Sequence, residues 1–116
     1  MANPVLDKSY LFSVRVVKAC KYLRQMHSET VMSKQLLRSG TSIGANIAEA
    51  QEAQSTADFI TKLNIALKEA SESEYWIRLL YDTGYFTEPQ FRSIHMDCLE
   101  LKRLLSSIIH TLNSRK

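Results

Sequence analysis

The residues able to do chemistry are few, and their spacing is mostly wrong for it. The three histidines are His27, His95 and His110. A di-metal bundle site needs Glu-x-x-His on two of its helices. The residues three before each histidine are Arg24, Arg92 and Ser107, so the pattern never forms. Glu49 and Glu52 could share a helix face, but two carboxylates without histidine partners make a weak ligand set. No metal site and no cofactor is expected. The chain has no His-Glu-x-x-His, no phosphate loop and no Gly-x-Gly-x-x-Gly. Ser39 and Ser42 stand without a nearby base or oxyanion hole in the sequence. Cys20 and Cys98 are the only cysteines, and each falls within an apolar pattern. That pattern suits buried free thiols in a reducing, cytoplasmic setting. Nothing points to an enzyme or to a small-molecule substrate.

Charge is the more informative feature. The 116 residues carry a net charge of +3. Residues 1–38 hold Lys8, Arg15, Lys18, Lys21, Arg24, Lys34 and Arg38 against Asp7 and Glu29, a net of +5, and the remainder is −2. A basic segment of this kind can contact phosphates without reading sequence, or can be an ordinary solvated helix face. Tyr75, Trp76, Tyr81, Tyr85 and Phe86 cluster further on. They suit a plug at a bundle end or an interface, or, more sharply, a base-stacking platform.

The elements that must position these residues are helical. Hydrophobic residues make up 45% and charged residues 23%, a globular balance, while three glycines and two prolines are too few to punctuate an all-β fold. Met1–Tyr10 carries Asp7 and Lys8, so no secretory leader is expected. The longest uncharged run, Leu104 to Ser114, is well short of a membrane span. Four amphipathic segments are predicted at about 4–27, 33–54, 56–83 and 88–113. Asn3-Pro4 opens the first, Ser55 and Asp58 resemble a capping box for the third, Thr87 and Gln90 form one for the fourth, and Gly84 ends the third.

The first segment has a core stripe of Val5, Phe12, Val16, Ala19, Leu23 and Met26. Leu6, Tyr10, Leu11, Val14, Val17 and Tyr22 lie on other faces, an apolar excess that suggests contact between subunits. In the fourth, Phe91, Ile94, Cys98, Leu101, Leu105, Ile108 and Leu112 repeat in steps of three and four, as in a left-handed bundle. Short links imply antiparallel neighbours. The expected architecture is a single-domain, all-α, up-down-up-down, left-handed four-helix bundle.

The second segment is unusual. Gly40 and Gly44 lie within it, although glycine costs about 0.5–1 kcal/mol relative to alanine inside a helix. Close approach of another backbone would explain both. Ser39, Thr41, Ser42, Asn46 and Glu49 surround them, and Asn46 is expected to hydrogen-bond a neighbouring helix and fix register.

The stretch Gln35 to Ala50, with its core Ser42-Ile43-Gly44-Ala45-Asn46-Ile47-Ala48-Glu49, resembles the bacterial four-helix-bundle proteins encoded by intervening sequences within 23S ribosomal RNA genes. Asp58-Phe59 and Leu63 to Ala70 resemble that family's third helix, so the likeness spans essentially the whole chain. It departs at Gly44, where many relatives carry proline, and at Ala50, where many carry glycine. The resemblance implies the same fold and no catalytic residues. The similar accessory proteins of diversity-generating retroelements imply a homo-oligomer, with a pentameric ring favoured, that binds nucleic acid through basic surfaces. The leading expectation is therefore a non-enzymatic homo-oligomeric bundle binding RNA or DNA through the first helix and the start of the second. The alternative is an adaptor whose basic face docks an acidic protein.

Overall fold

The structure, a computed structural model, describes residues 3–115. Four helices account for almost all of it: α1 (Pro4–His27), α2 (Met32–Ala50), α3 (Thr56–Asp82) and α4 (Glu88–Ser114). No strand occurs among the described residues. The helices form an antiparallel ring in chain order. α2 and α3 pack most extensively, α1–α2 and α3–α4 follow, and the α1–α4 seam is much the slightest. The result is a rod of 48 × 24 × 21 Å, as helices of 24–27 residues rising about 1.5 Å per residue require.

The cap chemistry read from the sequence operates at three starts. Asn3 accepts from the Leu6 amide at 3.2 Å, ahead of Pro4. Ser55 accepts from the Asp58 amide at 3.0 Å. Thr87 and Gln90 complete a reciprocal box at α4. α2 begins differently. Val31, at its N-cap, contributes no side chain, and Glu29 reaches in from outside the helix. Its carboxylate accepts from the amides of Val31 (3.0 Å), Met32 (2.7 Å) and Ser33 (2.8 Å).

A helix boundary and a stripe residue differ from expectation. α2 ends at Ala50, not near residue 54. The last buried residue of its stripe is Ala50 itself. Gln51 and Glu52 turn back by bonding Ala48 and Glu49 carbonyls, three residues behind. Gln54 then donates to Asp58, and Ser55 is extended to cap α3, which leaves no room for another helical turn. Met26 falls on the expected core stripe of α1 but is 69% exposed; the residue of this last turn that meets another element is His27, packed edge to face on Tyr85.

The core is apolar: Phe12, Val16, Leu23, Leu36, Ile43, Ile47, Leu63, Ile77, Leu80, Leu101 and Leu105 are essentially inaccessible. Both interior glycines mark a close approach of α1 to α2. A Cβ at Gly40 would lie 2.8 and 2.9 Å from the two γ-carbons of Val16, and one at Gly44 would lie 3.2 Å from the Ser9 carbonyl oxygen. Buried serines sit within the apolar layers. Ser73 Oγ donates to the Glu69 carbonyl (2.8 Å) and shares a hydrogen bond with Ser39 Oγ across α2 and α3 (2.9 Å). Among the described residues no buried side-chain polar atom lacks a partner.

Candidate nucleic-acid interface

The seven basic residues singled out in α1 and α2 divide into two sets. Three of them are spent within the chain. Lys8 pairs with Glu100 of α4 at 3.1 Å. Arg15 pairs with Asp97 and donates to the Ser93 hydroxyl at 2.9 Å and its carbonyl at 3.3 Å. Arg38 reaches α3, pairing with Glu72 and with Glu69 at 3.2 Å. The hydrogen bond from Arg38, then that from Trp76, hold the Glu72 carboxyl below the usual carboxylate range. These four ion pairs are partly exposed, so each contributes about 0–1 kcal/mol.

The other four, Lys18, Lys21, Arg24 and Lys34, are exposed, and none has an ion-pair partner among the described residues. Their placement follows from helix geometry. Lys18, Lys21 and Arg24 step by three residues, so each lies about 60° round from the one before. The sweep starts at the α1–α4 groove, which Lys18 lines, and turns towards α2. Lys34 follows Ser33, whose carbonyl accepts from Cys20 Sγ at 3.2 Å, and thereby joins the last turns of α1.

A tight reversal holds this end together. Ser28 is in the left-handed region (φ 52°), and its amide and that of Glu29 both return to the Leu23 carbonyl. Glu29 then caps α2. Burial works to raise its pKa, but the bonds from Met32, Ser33 and Val31 outweigh it and leave the carboxyl lowered. Glu29 thus stays anionic, held against the positive end of α2. Glu29, five residues from both Arg24 and Lys34 in sequence, is buried. Sequence reasoning missed this role; the only local signal was an acid four residues before Ser33.

The second candidate set, Gly40, Ser42, Gly44, Asn46 and Glu49, also divides. The glycines face α1, Gly40 against the Val16 side chain and Gly44 against the Ser9 backbone. Asn46 does not reach a neighbouring helix: its amide donates to the Ser42 carbonyl at 2.8 Å, one turn back in α2. Ser42 likewise donates to Arg38 at 2.6 Å. Glu49 pairs with Lys62 of α3 at 3.1 Å. The buried pair of polar side chains that joins α2 to α3 is instead Ser39–Ser73. Ser39 stands out in the sequence beside the glycines, but Ser73, 34 residues on, carries no sign of its partner.

The aromatic residues form three separate groups rather than one platform. Tyr81, Phe91 and His95 stack face to face at 4.3 and 4.8 Å. Tyr22, His27 and Tyr85 meet edge to face at 5.4 and 5.7 Å. Tyr75 and Trp76 pair alone. His95 also lies 2.9 Å from Glu74, which Lys102 approaches at 2.8 Å. Hydrogen bonds from Lys102 and then His95 lower the Glu74 pKa. Among the described residues no group of three or more His, Cys, Asp or Glu is placed to hold a metal ion. Both cysteines are buried and free. Burial pushes the Cys20 thiol up to about 11 and Cys98 up to about 12, so both stay protonated at neutral pH.

The model of the 23S rRNA-intervening sequence protein family matches residues 2–107, nearly the whole bundle. The chain belongs to this family. A solved structure similar to this 23S rRNA-intervening sequence protein is that of a protein with unknown function from the S23 ribosomal protein family of Bacteroides thetaiotaomicron VPI-5482. It is 61% identical, covers 90% of this chain and 97% of its own, and superposes with a TM-score of 0.90. Comparison with curated proteins finds no match. No helix of this family member, among the described residues, is long and apolar enough to cross a membrane.

Proposed function

We propose that this protein is a cytoplasmic, non-enzymatic, self-associating bundle that binds RNA or DNA through the basic end of α1 and the start of α2. The observation that carries the reading is the set Lys18, Lys21, Arg24 and Lys34: exposed, without ion-pair partners among the described residues, and gathered where α1 turns into α2. Lys8, Arg15 and Arg38 are bridging residues in this reading and leave the contact set. The bland explanation, cations offsetting the α1 dipole, accounts for Arg24 in the last turn but not for Lys18, Lys21 or Lys34. Self-association is supported by the outer stripe of α1, where Tyr10 is 69% and Leu11 62% exposed, and by the family resemblance, which favours a pentamer. Repetition of a four-cation patch around an assembly would raise avidity without any new contact.

The test is binding to structured RNA and to duplex DNA across a salt series. Each phosphate neutralised on duplex DNA contributes about −0.9 to the slope of log K against log salt. Four contacts per protomer predict a slope of about −3 to −4. Replacing Lys18, Lys21, Arg24 and Lys34 by glutamate should abolish binding, while Lys8→Ala or Arg38→Ala should leave the slope unchanged. No binding at ~50 mM salt, or a flat salt dependence, refutes the reading. A scattering mass equal to one chain refutes self-association.

The second reading, an adaptor docking an acidic protein, is favoured by Met26 and Val31. They are 69% and 73% exposed at the end of α1 and the start of α2, and phosphate contact gives them no role. A partner that survives nuclease treatment in a pull-down would support it.

A further inference from the structure

The slight packing of α1 on α4 leaves a groove of about 270 Å³ at the basic end of the bundle. Arg15, Lys18, Ala19 and Tyr22 of α1 form one wall, and Phe86, Gln90 and Ile94 the other. Its floor is apolar and aromatic, one rim is cationic, and the opposite rim offers the Gln90 amide. We propose that this groove receives a single unpaired nucleobase from a nucleic-acid strand whose phosphates lie on Lys18 and Lys21. The inference deepens the nucleic-acid reading above and rests on it.

Four features of the site fit that occupant. The volume falls just under the ~300–1,000 Å³ taken by whole drug-sized ligands, which suits one planar ring system. Arg15 is fixed by Asp97 and by both oxygens of Ser93, so its flat guanidinium is presented without further loss of side-chain freedom. Such a plane, like the ring of Tyr22, stacks on any base. Its charge is already matched by Asp97, so it serves as a stacking surface rather than a phosphate contact. Lys18, at the lip, has no carboxylate partner among the described residues and stands where the phosphate of an inserted base would emerge. Gln90 carries both a donor and an acceptor, which a base edge can use in either sense. A base held in a duplex stack cannot enter, so the groove selects unpaired strands.

The experiment compares three ligands of equal phosphate count on the wild-type protein: a single strand, the same strand with its bases removed to leave abasic sites, and a blunt duplex. The base-bearing strand should bind roughly tenfold more tightly than the abasic one, the size of effect one stacked base gives. Ala19→Leu should fill the groove without altering charge, erase that tenfold difference and leave duplex binding unchanged. Equal affinity for the base-bearing and abasic strands, with salt dependence intact, would overturn the groove while sparing the electrostatic reading. Absence of binding to all three ligands would overturn both. Displacement of the strand by an equal concentration of a free nucleoside monophosphate would also overturn it, since the ligand would then be a free nucleotide. If Ala19→Leu fails to fold, the abasic comparison on wild-type protein still decides.

Discussion

Replacing Gly40 by alanine sets two effects against each other, and their sizes can be worked from the structure. In a helix interior the change should gain about 0.5–1 kcal/mol from backbone entropy. Against this, the new Cβ would lie 2.8 and 2.9 Å from the γ-carbons of Val16, about 1 Å inside the optimal carbon–carbon separation of ~3.5–4.0 Å. Val16 is fully buried and β-branched, so χ1 rotation offers it little escape within a helix. Overpacking of this kind costs about 1–3 kcal/mol. Gly40→Ala should therefore destabilise by about 1 kcal/mol net. Val16→Ala alone should cost about 2–3 kcal/mol through two lost methyl groups and the cavity they leave. In the double variant the alanine at 40 occupies part of that cavity, so the losses should not add. A coupling of at least about 1 kcal/mol is expected.

The assay is urea unfolding followed by circular dichroism at fixed protein concentration, since self-association would shift the midpoint. Gly84→Ala is the control: φ is +89°, nothing lies within 4 Å, and its cost of about 1 kcal/mol should be independent of residue 16. If Gly40→Ala stabilises the protein and combines additively with Val16→Ala, the close α1–α2 approach is wrong.

The remaining predictions address caps and the buried serines. Ser28→Gly should stabilise by up to about 1 kcal/mol and raise Tm by a few degrees, because Ser28 occupies a left-handed conformation that glycine adopts without strain. Glu29→Gln should destabilise by about 0.5–2 kcal/mol at neutral pH. Because the folded pKa of Glu29 is lowered, its contribution is complete above the unfolded value near 4.3 and disappears as pH falls through the folded value. Unfolding measured between about pH 6 and pH 3 should accordingly show a shallower loss for the variant than for the parent; parallel curves would refute the capping role. Ser39→Ala should cost about 1 kcal/mol, and adding Ser73→Ala should cost less than its single change does, as chemical denaturation of the cycle would report.

What the sequence made legible was whatever depends on neighbours within a turn or two. The Thr87–Gln90 box, the Asn3-Pro4 start and the three-four spacing of Ile94, Cys98, Leu101 and Leu105 are local, and the structure carries each of them. The glycines were legible for a different reason: two in one helix demand an explanation, and close approach to α1 is the one found. Residues whose meaning depends on distant partners were read wrongly or incompletely. Nothing around Lys8, Arg15 or Arg38 announced that Glu100, Asp97, Glu69 and Glu72 would claim them from other helices. The fourfold basic set emerges only after those bridges are removed. Asn46 was assigned to a neighbouring helix because a buried asparagine can set register, but its nearest acceptor was its own backbone. The groove was invisible for the same reason, since its two walls are about 70 residues apart in sequence.

The weakly packed α1–α4 seam has a consequence for motion. In a ring of four helices it is the joint that separates with the least loss of buried surface, and it joins the first helix to the last. Amides of α1 and α4 should exchange through partial openings that leave the α2–α3 pair intact. Any ligand wedged across the seam would act as a clasp between the two outer helices, slowing those openings and raising stability in proportion to its occupancy. Occupancy of the groove would thus be readable in the exchange rates of helices far longer than the groove itself.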